Sequence, residues 1–172
     1  IVPVGILASA STDVLVEKCE VKNINVRTGS SAAIQMSGVN NSKILNCHIS
    51  NLLNRDGACT GIGHFLCNDA EIKSCKLDRL KTEFIDNLNT EGHTAIEIIP
   101  FISTNLLVKD CEITNITGSC DDAHGISIFE CNQALVEHCK VRNVIDGAGP
   151  AQTGAKATGI EVYGSDVQVL KC

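Results

Sequence analysis

A chain of 172 residues with a net charge of −6 and no run of Lys or Arg lacks the clustered cations that nucleic-acid binding uses to displace counterions. No apolar stretch reaches the roughly 18 residues that a membrane-spanning helix requires, so membrane insertion by a helix is not expected. Hydrophobic residues make up 44% of the chain, yet there is no Trp, one Tyr and four Phe; the core should be narrow and packed with small aliphatic side chains and cysteine.

In chain order, Gly5-Ile6 is followed by Val16, Cys19, Val21 and Ile24. The same spacing returns at Ile44, Cys47, Ile49 and Leu52, then at Ile72, Cys75, Leu77 and Leu80. It returns again at Val108, Cys111, Ile113 and Ile116 and at Val136, Cys139, Val141 and Val144, and the chain stops on Val169 and Cys172. Between these segments stands a small residue followed by Ile: Ala33-Ile34, Gly61-Ile62, Ala95-Ile96, Gly125-Ile126 and Gly159-Ile160. Two residues beyond each of those isoleucines come Met36, His64, Ile98, Ile128 and Val162, an alternation of period 2 that reads as strand.

The periodic cysteines are 28, 28, 36, 28 and 33 residues apart. The 36 reads as 28 with a six-residue insertion in one connection and two further residues near Pro100, and the 33 as 28 with six added and one removed. A repeat that tolerates insertions in one connection is a solenoid. Helical solenoids need apolar stripes of period 3.6; short β-branched alternations punctuated by Asn and Gly predict strands instead. Asn23, Asn51, Asn115 and Asn143 form a further row, broken by Arg79, in which stacked amides can bond from coil to coil. The expected fold is all-β: a right-handed parallel β-helix solenoid of about six coils, a single domain over residues 1–172. The start at Ile1 and the stop within an alternation suggest a segment of a longer protein, and a capping domain or subunit is expected over an open solenoid end.

The motif Asn-x-x-Ile-x-Asn-Cys-x-Ile-x-Asn followed by Gly-Ile-x-Ile, clearest at 41–51, 105–115 and 125–143, resembles the pectate-lyase-like superfamily of parallel β-helices. The resemblance covers nearly the whole chain. It implies a carbohydrate-associated domain that binds or processes an extended polysaccharide as a hydrolase, lyase or epimerase; the alternative is a non-catalytic structural or adhesion solenoid of a larger surface protein or fibre. It also implies an extracellular or cell-surface location, whereas the cysteine usage fits a reducing compartment as well.

Six of the ten cysteines form the ladder and are expected to act as small apolar residues. Cys67 and Cys131 share another row two coils apart, too far for a disulfide at about 4.8 Å per coil. Cys59 and Cys120 are expected on loops as the most exposed thiols. The row Glu20, His48, Lys76, Glu112 and Lys140 reads as a solvated face of alternating charge. His64 occupies a position filled elsewhere by Met, Ile and Val and is expected as a hydrogen-bonded or partly buried structural histidine.

Candidate chemistry gathers where the long connections Lys81 to Thr94 and Ile145 to Thr158 flank the short one, Thr117 to His124, as two walls around a groove floor. That floor carries Ser119, Cys120, Asp121, Asp122 and His124. Beside it an outward row is expected to run Gln35, Gly63, Glu97, Ser127 and Glu161, with Glu97 and Glu161 about 10 Å apart, a separation compatible with an inverting glycosidase. The stretch Asp121 to Ile128 is similar to fragments of polygalacturonase signatures, which assigns Asp121, Asp122 and His124 as catalytic candidates. In that family the Asp pair and the His lie on different coils, and Asn-Thr-Asp and Arg-Ile-Lys motifs accompany them; neither motif occurs here. Catalysis, ligand or cation binding, and plain loop polarity all remain open for the three. Glu97, Ser127, Glu161, Phe129 and Tyr163 are the substrate-binding candidates, and Phe65, Phe129 and Tyr163 form an outer aromatic row suited to sugar stacking or to packing. No dedicated metal site is read from the sequence. A lyase of the superfamily would take Ca²⁺, for which Glu97, Asp121, Asp122 and Glu161 are donors, with Lys81 and Lys156 the nearest bases.

Overall fold

The computed structural model describes residues 3–27, 29–55, 57–83, 95–118, 122–146 and 156–172, with the backbone alone at 96 and 97. The first coil holds β1 (Val4–Ser9), β2 (Thr12–Glu17), β3 (Glu20–Lys22) and β4 (Asn25–Val26), and the second β5 (Ser31–Ser37), β6 (Asn40–Leu45) and β7 (His48–Asn54). The third holds β8 (Cys59–Phe65), β9 (Asn68–Lys73) and β10 (Lys76–Thr82), and the fourth β11 (Ala95–Phe101), β12 (Thr104–Lys109) and β13 (Glu112–Gly118). The fifth is β14 (Ala123–Glu137) and β15 (Lys140–Asp146), and β16 (Ala157–Leu170) continues into a sixth. Every pairing is parallel and joins equivalent strands of neighbouring coils.

Three faces result. One runs β1-β5-β8-β11 into the first half of β14 and then β16; the second runs β2-β6-β9-β12 into the second half of β14; the third runs β3-β7-β10-β13-β15. The chain turns between faces at single residues in the left-handed region, which recur at equivalent places in successive coils: Ala10, Gly38, Leu66, Ile102 and Glu130 have φ of 46 to 61°, and Lys18, Asn46, Ser74, Asp110 and His138 have φ of 53 to 54°. Asn and Asp tolerate this conformation best, which explains the row Asn23, Asn51, Asn115 and Asn143 at 55 to 60°. Asn51 donates to Asn23 at 3.2 Å and Asn143 to Asn115 at 2.9 Å, so the amides bond coil to coil as their spacing predicts.

The core is the stack of Ile34, Ile62, Ile98 and Ile126, the row Ile44, Ile72, Val108 and Val136, and the row Ile49, Leu77 and Ile113, all fully buried. Cys47, Cys75, Cys111 and Cys139 are buried beside them. These thiols do more than fill space: each donates to the carbonyl two residues earlier and to one in the preceding coil, as Cys47 does to Leu45 at 3.3 Å and Val16 at 3.7 Å. The carbonyls of Leu45, Lys73, Lys109 and Glu137 already accept a backbone N–H from the neighbouring coil, and the thiol adds a second, weak donor that Val could not supply. Ser103, which stands between Cys67 and Cys131, bonds the Phe101 carbonyl in the same way, so those two cysteines are two coils apart as expected.

Three expectations are corrected. Cys59 is fully buried in β8, opposite Ser31 and Ala95, rather than exposed on a loop; Cys120 lies outside the described residues. His64 is fully buried with neither ring nitrogen hydrogen-bonded. The third concerns register. Pro100 pairs with His64 and Phe101 with Phe65, so no residues are inserted near Pro100, and all eight extra residues of the 36 precede β11. Ile98, not Ile96, therefore stacks on Ile62 and Ile126. The residue missing from the 33 falls between Phe129 and Cys131, where the register with β16 shifts.

Candidate functional site

The corrected register changes the outward row. Gln35 and Gly63 are followed by Ile99, then Ser127 and Glu161. Glu97 lies two positions earlier along β11, between the residues paired with His124 and Ile126, so in the strand register it does not share a row with Glu161. Asp121, Ser119 and Cys120 lie outside the described residues, as do residues 84–94 and 147–155 of the long connections expected to wall the groove.

What the fold does assemble is centred on His124. Asp122 precedes β14, His124 is its second residue, and Glu161 stands on β16 in the next coil, in register with Ser127. The His124 side chain is 5% exposed, with Nδ1 3.1 Å from Glu161 Oε2 and Nε2 3.6 Å from Asp122 Oδ2. The imidazole thus sits between two carboxylates, and its Nδ1 contact lacks the alignment of a hydrogen bond. Asp122 is oriented by the neighbouring coil, since its Oδ1 accepts from the Lys156 backbone N–H at 2.8 Å. Glu161 is 19% exposed and Asp122 32%, so one edge of the cluster meets solvent while the ring is buried. Ser127 is buried beside Glu161 in the strand register.

Such an arrangement is chemically competent for proton transfer. An imidazole offers a donor and an acceptor nitrogen, and here each faces a carboxylate oxygen. Catalytic hydrogen bonds are often loose before substrate arrives, so the unaligned Nδ1 contact is compatible with such a role. Of the four expected Ca²⁺ donors, Asp121 and the Glu97 side chain lie outside the described residues; Asp122 and Glu161 both face the imidazole, which stands between them. Of the two lysines considered as bases, Lys81 is paired to Glu83 at 2.8 Å, and Lys156 contributes its backbone N–H to Asp122.

Next to this cluster the aromatic row has four members, not three. Phe65, Phe101, Phe129 and Tyr163 stack with ring centroids 6.4, 5.4 and 5.4 Å apart. Phe101 was concealed by the two-residue register difference; the 36-residue and 28-residue steps from Phe65 to Phe101 to Phe129, equal to those of the cysteines, are the signal that finds it. Phe101 and Phe129 lie 13° from parallel, so their faces cover one another, and Tyr163 at the end of the stack is 49% exposed. Phe65 also lies over Gly63, where an added Cβ would meet its ring at 2.5 Å.

No curated protein and no solved structure is significantly similar to the chain. A family model described as the right handed beta helix region matches residues 2–172, which agrees with the parallel coils, the stacked rows and the corner residues. The chain belongs to the right-handed β-helix family.

Proposed function

We propose that the face carrying Asp122, His124, Ser127 and Glu161 binds an extended polysaccharide, with Tyr163 at its margin and His124 able to exchange a proton with a bound sugar. The reading is supported by one observation above the others, the buried imidazole held between carboxylates from two successive coils. The resemblance to pectate-lyase-like β-helices and the length of a solenoid face, which matches a linear glycan, point the same way. In this reading Asp122 and Glu161 hold the orientation of His124 from two successive coils.

The stacking of Phe101 on Phe129 favours a second reading, a structural solenoid, because rings whose faces cover each other are spent on packing. One experiment decides. Oligouronides and neutral glycans are screened for binding and turnover, with and without Ca²⁺, against the unaltered chain, an Asp121→Ala, Asp122→Ala variant and His124→Gln. Binding or turnover that falls at least about tenfold in the variants, a loss of roughly 1.4 kcal/mol, supports the glycan reading. No interaction with any glycan, or one unchanged in all variants, assigns the domain to the structural class.

A further inference from the structure

The third face carries an irregularity that the His124 cluster does not use. In the asparagine ladder the third coil presents Arg79, at φ 60°, in place of Asn. Arg79 Nε donates to Asn51 Oδ1 at 2.6 Å, but a guanidinium has no acceptor to offer the next coil. Asn115 therefore turns to Asp78 Oδ1 at 2.7 Å, an atom that also accepts from Thr114 at 2.8 Å, while Asp78 Oδ2 lies 3.1 Å from Arg79 Nε. The ladder is rerouted around the arginine. Both Arg79 contacts run through Nε, so its two terminal nitrogens have no partner among the described residues, and the side chain is 61% exposed.

Beside Arg79 lies an open hollow of about 340 Å³. Leu53, half-buried, is the apolar side chain on its floor, Ile24 and Leu52 being packed into the core beneath; Asn23, Asn25 and Asn51 supply amides, and Arg79, Lys81 and Glu83 complete the lining. Glu83 is satisfied from within, since Lys81 bonds Oε1 at 2.8 Å and Arg55 bonds Oε2 at 3.3 Å, and Arg55 also fixes Asn25 at 2.9 Å. The donors left facing the hollow are thus the terminal nitrogens of Arg79, whose charge Asp78 meets from the Nε side and whose fork matches a carboxylate in two parallel bonds. An apolar floor with amides around it suits the C–H face and hydroxyls of a pyranose. A position that breaks a local rule and opens toward a cavity is a place to look for function.

We propose that this hollow is a binding site for a carboxylate-bearing sugar, with Arg79 holding the carboxylate and Leu53 under the ring. It stands on a different face from the His124 cluster and does not depend on the reading given to that cluster. The test titrates the full chain with galacturonate, galactose and inorganic sulfate, following the backbone amide resonances of Asn25 and Leu53. Arg79→Asn is the discriminating variant, because it restores an unbroken amide ladder and so should fold with an unchanged or higher melting temperature. Expected are saturable shifts with galacturonate, at least roughly tenfold weaker binding of galactose, and a loss of roughly tenfold or more of the galacturonate affinity in Arg79→Asn. No saturable shift, equal binding of galactose, sulfate binding as tightly as galacturonate, or full affinity in a folded Arg79→Asn would each overturn the proposal.

Discussion

His124 Nδ1 and Glu161 Oε2 lie 3.1 Å apart across two coils, and both side chains are largely shielded from water. Attraction between such groups is screened far less than on the surface. A double-mutant cycle of His124→Gln and Glu161→Gln, read by urea unfolding, should give a coupling of about 1 kcal/mol. The corresponding cycle with Asp122, which is 3.6 Å away and more exposed, should give a smaller one. Equal couplings would mean that the imidazole is not held mainly from the Glu161 side.

His64 makes stability depend on acid. Burial with no partner lowers its pKa from the ordinary 6.5 to about 4. The unfolded chain then binds a proton that the folded one refuses, so the contribution is complete above pH 6.5 and is lost as pH falls through about 4. The loss amounts to about 3 kcal/mol in all. Met occupies the same row one coil earlier, at Met36, and His64→Met should remove this part of the acid dependence and raise stability at neutral pH by about 1–2 kcal/mol. Unfolding curves at pH 4 and pH 7 for both proteins check it.

Asn51 joins two links of the ladder, giving a hydrogen bond to Asn23 and accepting one from Arg79, at a φ of 57° that Asn tolerates better than Ala. Asn51→Ala should cost about 1–2 kcal/mol. Asn23→Ala, at the end of the row with the one bond from Asn51, should cost less; chemical denaturation of the two variants ranks them.

Thiol accessibility follows the coil structure. Cys47, Cys59, Cys75, Cys111 and Cys131 are buried, and burial pushes the Cys47 thiol up to about 11, while Cys172 is exposed. Because the thiolate is the reactive form, iodoacetamide at neutral pH should label Cys172 long before these five, which should react only on unfolding. Peptide mass mapping with time reads the order.

Gly125 follows His124 in β14, two residues before Ser127. A Cβ there would lie 2.4 Å from Val141 Cγ1 and 2.5 Å from the Gly159 carbonyl oxygen. Gly125→Ala should therefore destabilise by about 1–3 kcal/mol through overpacking, measured as a lower urea midpoint, and should disturb the His124 cluster with it.

The residues alone determined that this chain is a solenoid of strands. In a parallel β-helix each side chain stacks on its counterpart one coil away, so the requirements on a row repeat at the coil length, and Cys19, Cys47 and Cys75 or Asn23 and Asn51 display them without coordinates. His124, Glu161 and Tyr163 were legible as candidates for the same reason, since a departure from a row stands out against it. Coil length does not reveal where inserted residues sit. Ala95-Ile96 copies the small-Ile pair of the other coils, yet the stacking of Pro100 on His64 and Phe101 on Phe65 shifts β11 by two. Only the folded packing decided that register, and with it the separation of Glu97 from the row, the four-ring stack and the burial of Cys59. The contact between His124 and Glu161 was likewise decided in three dimensions, because side chains three positions apart along neighbouring strands meet by reach and direction, which a row of letters does not encode.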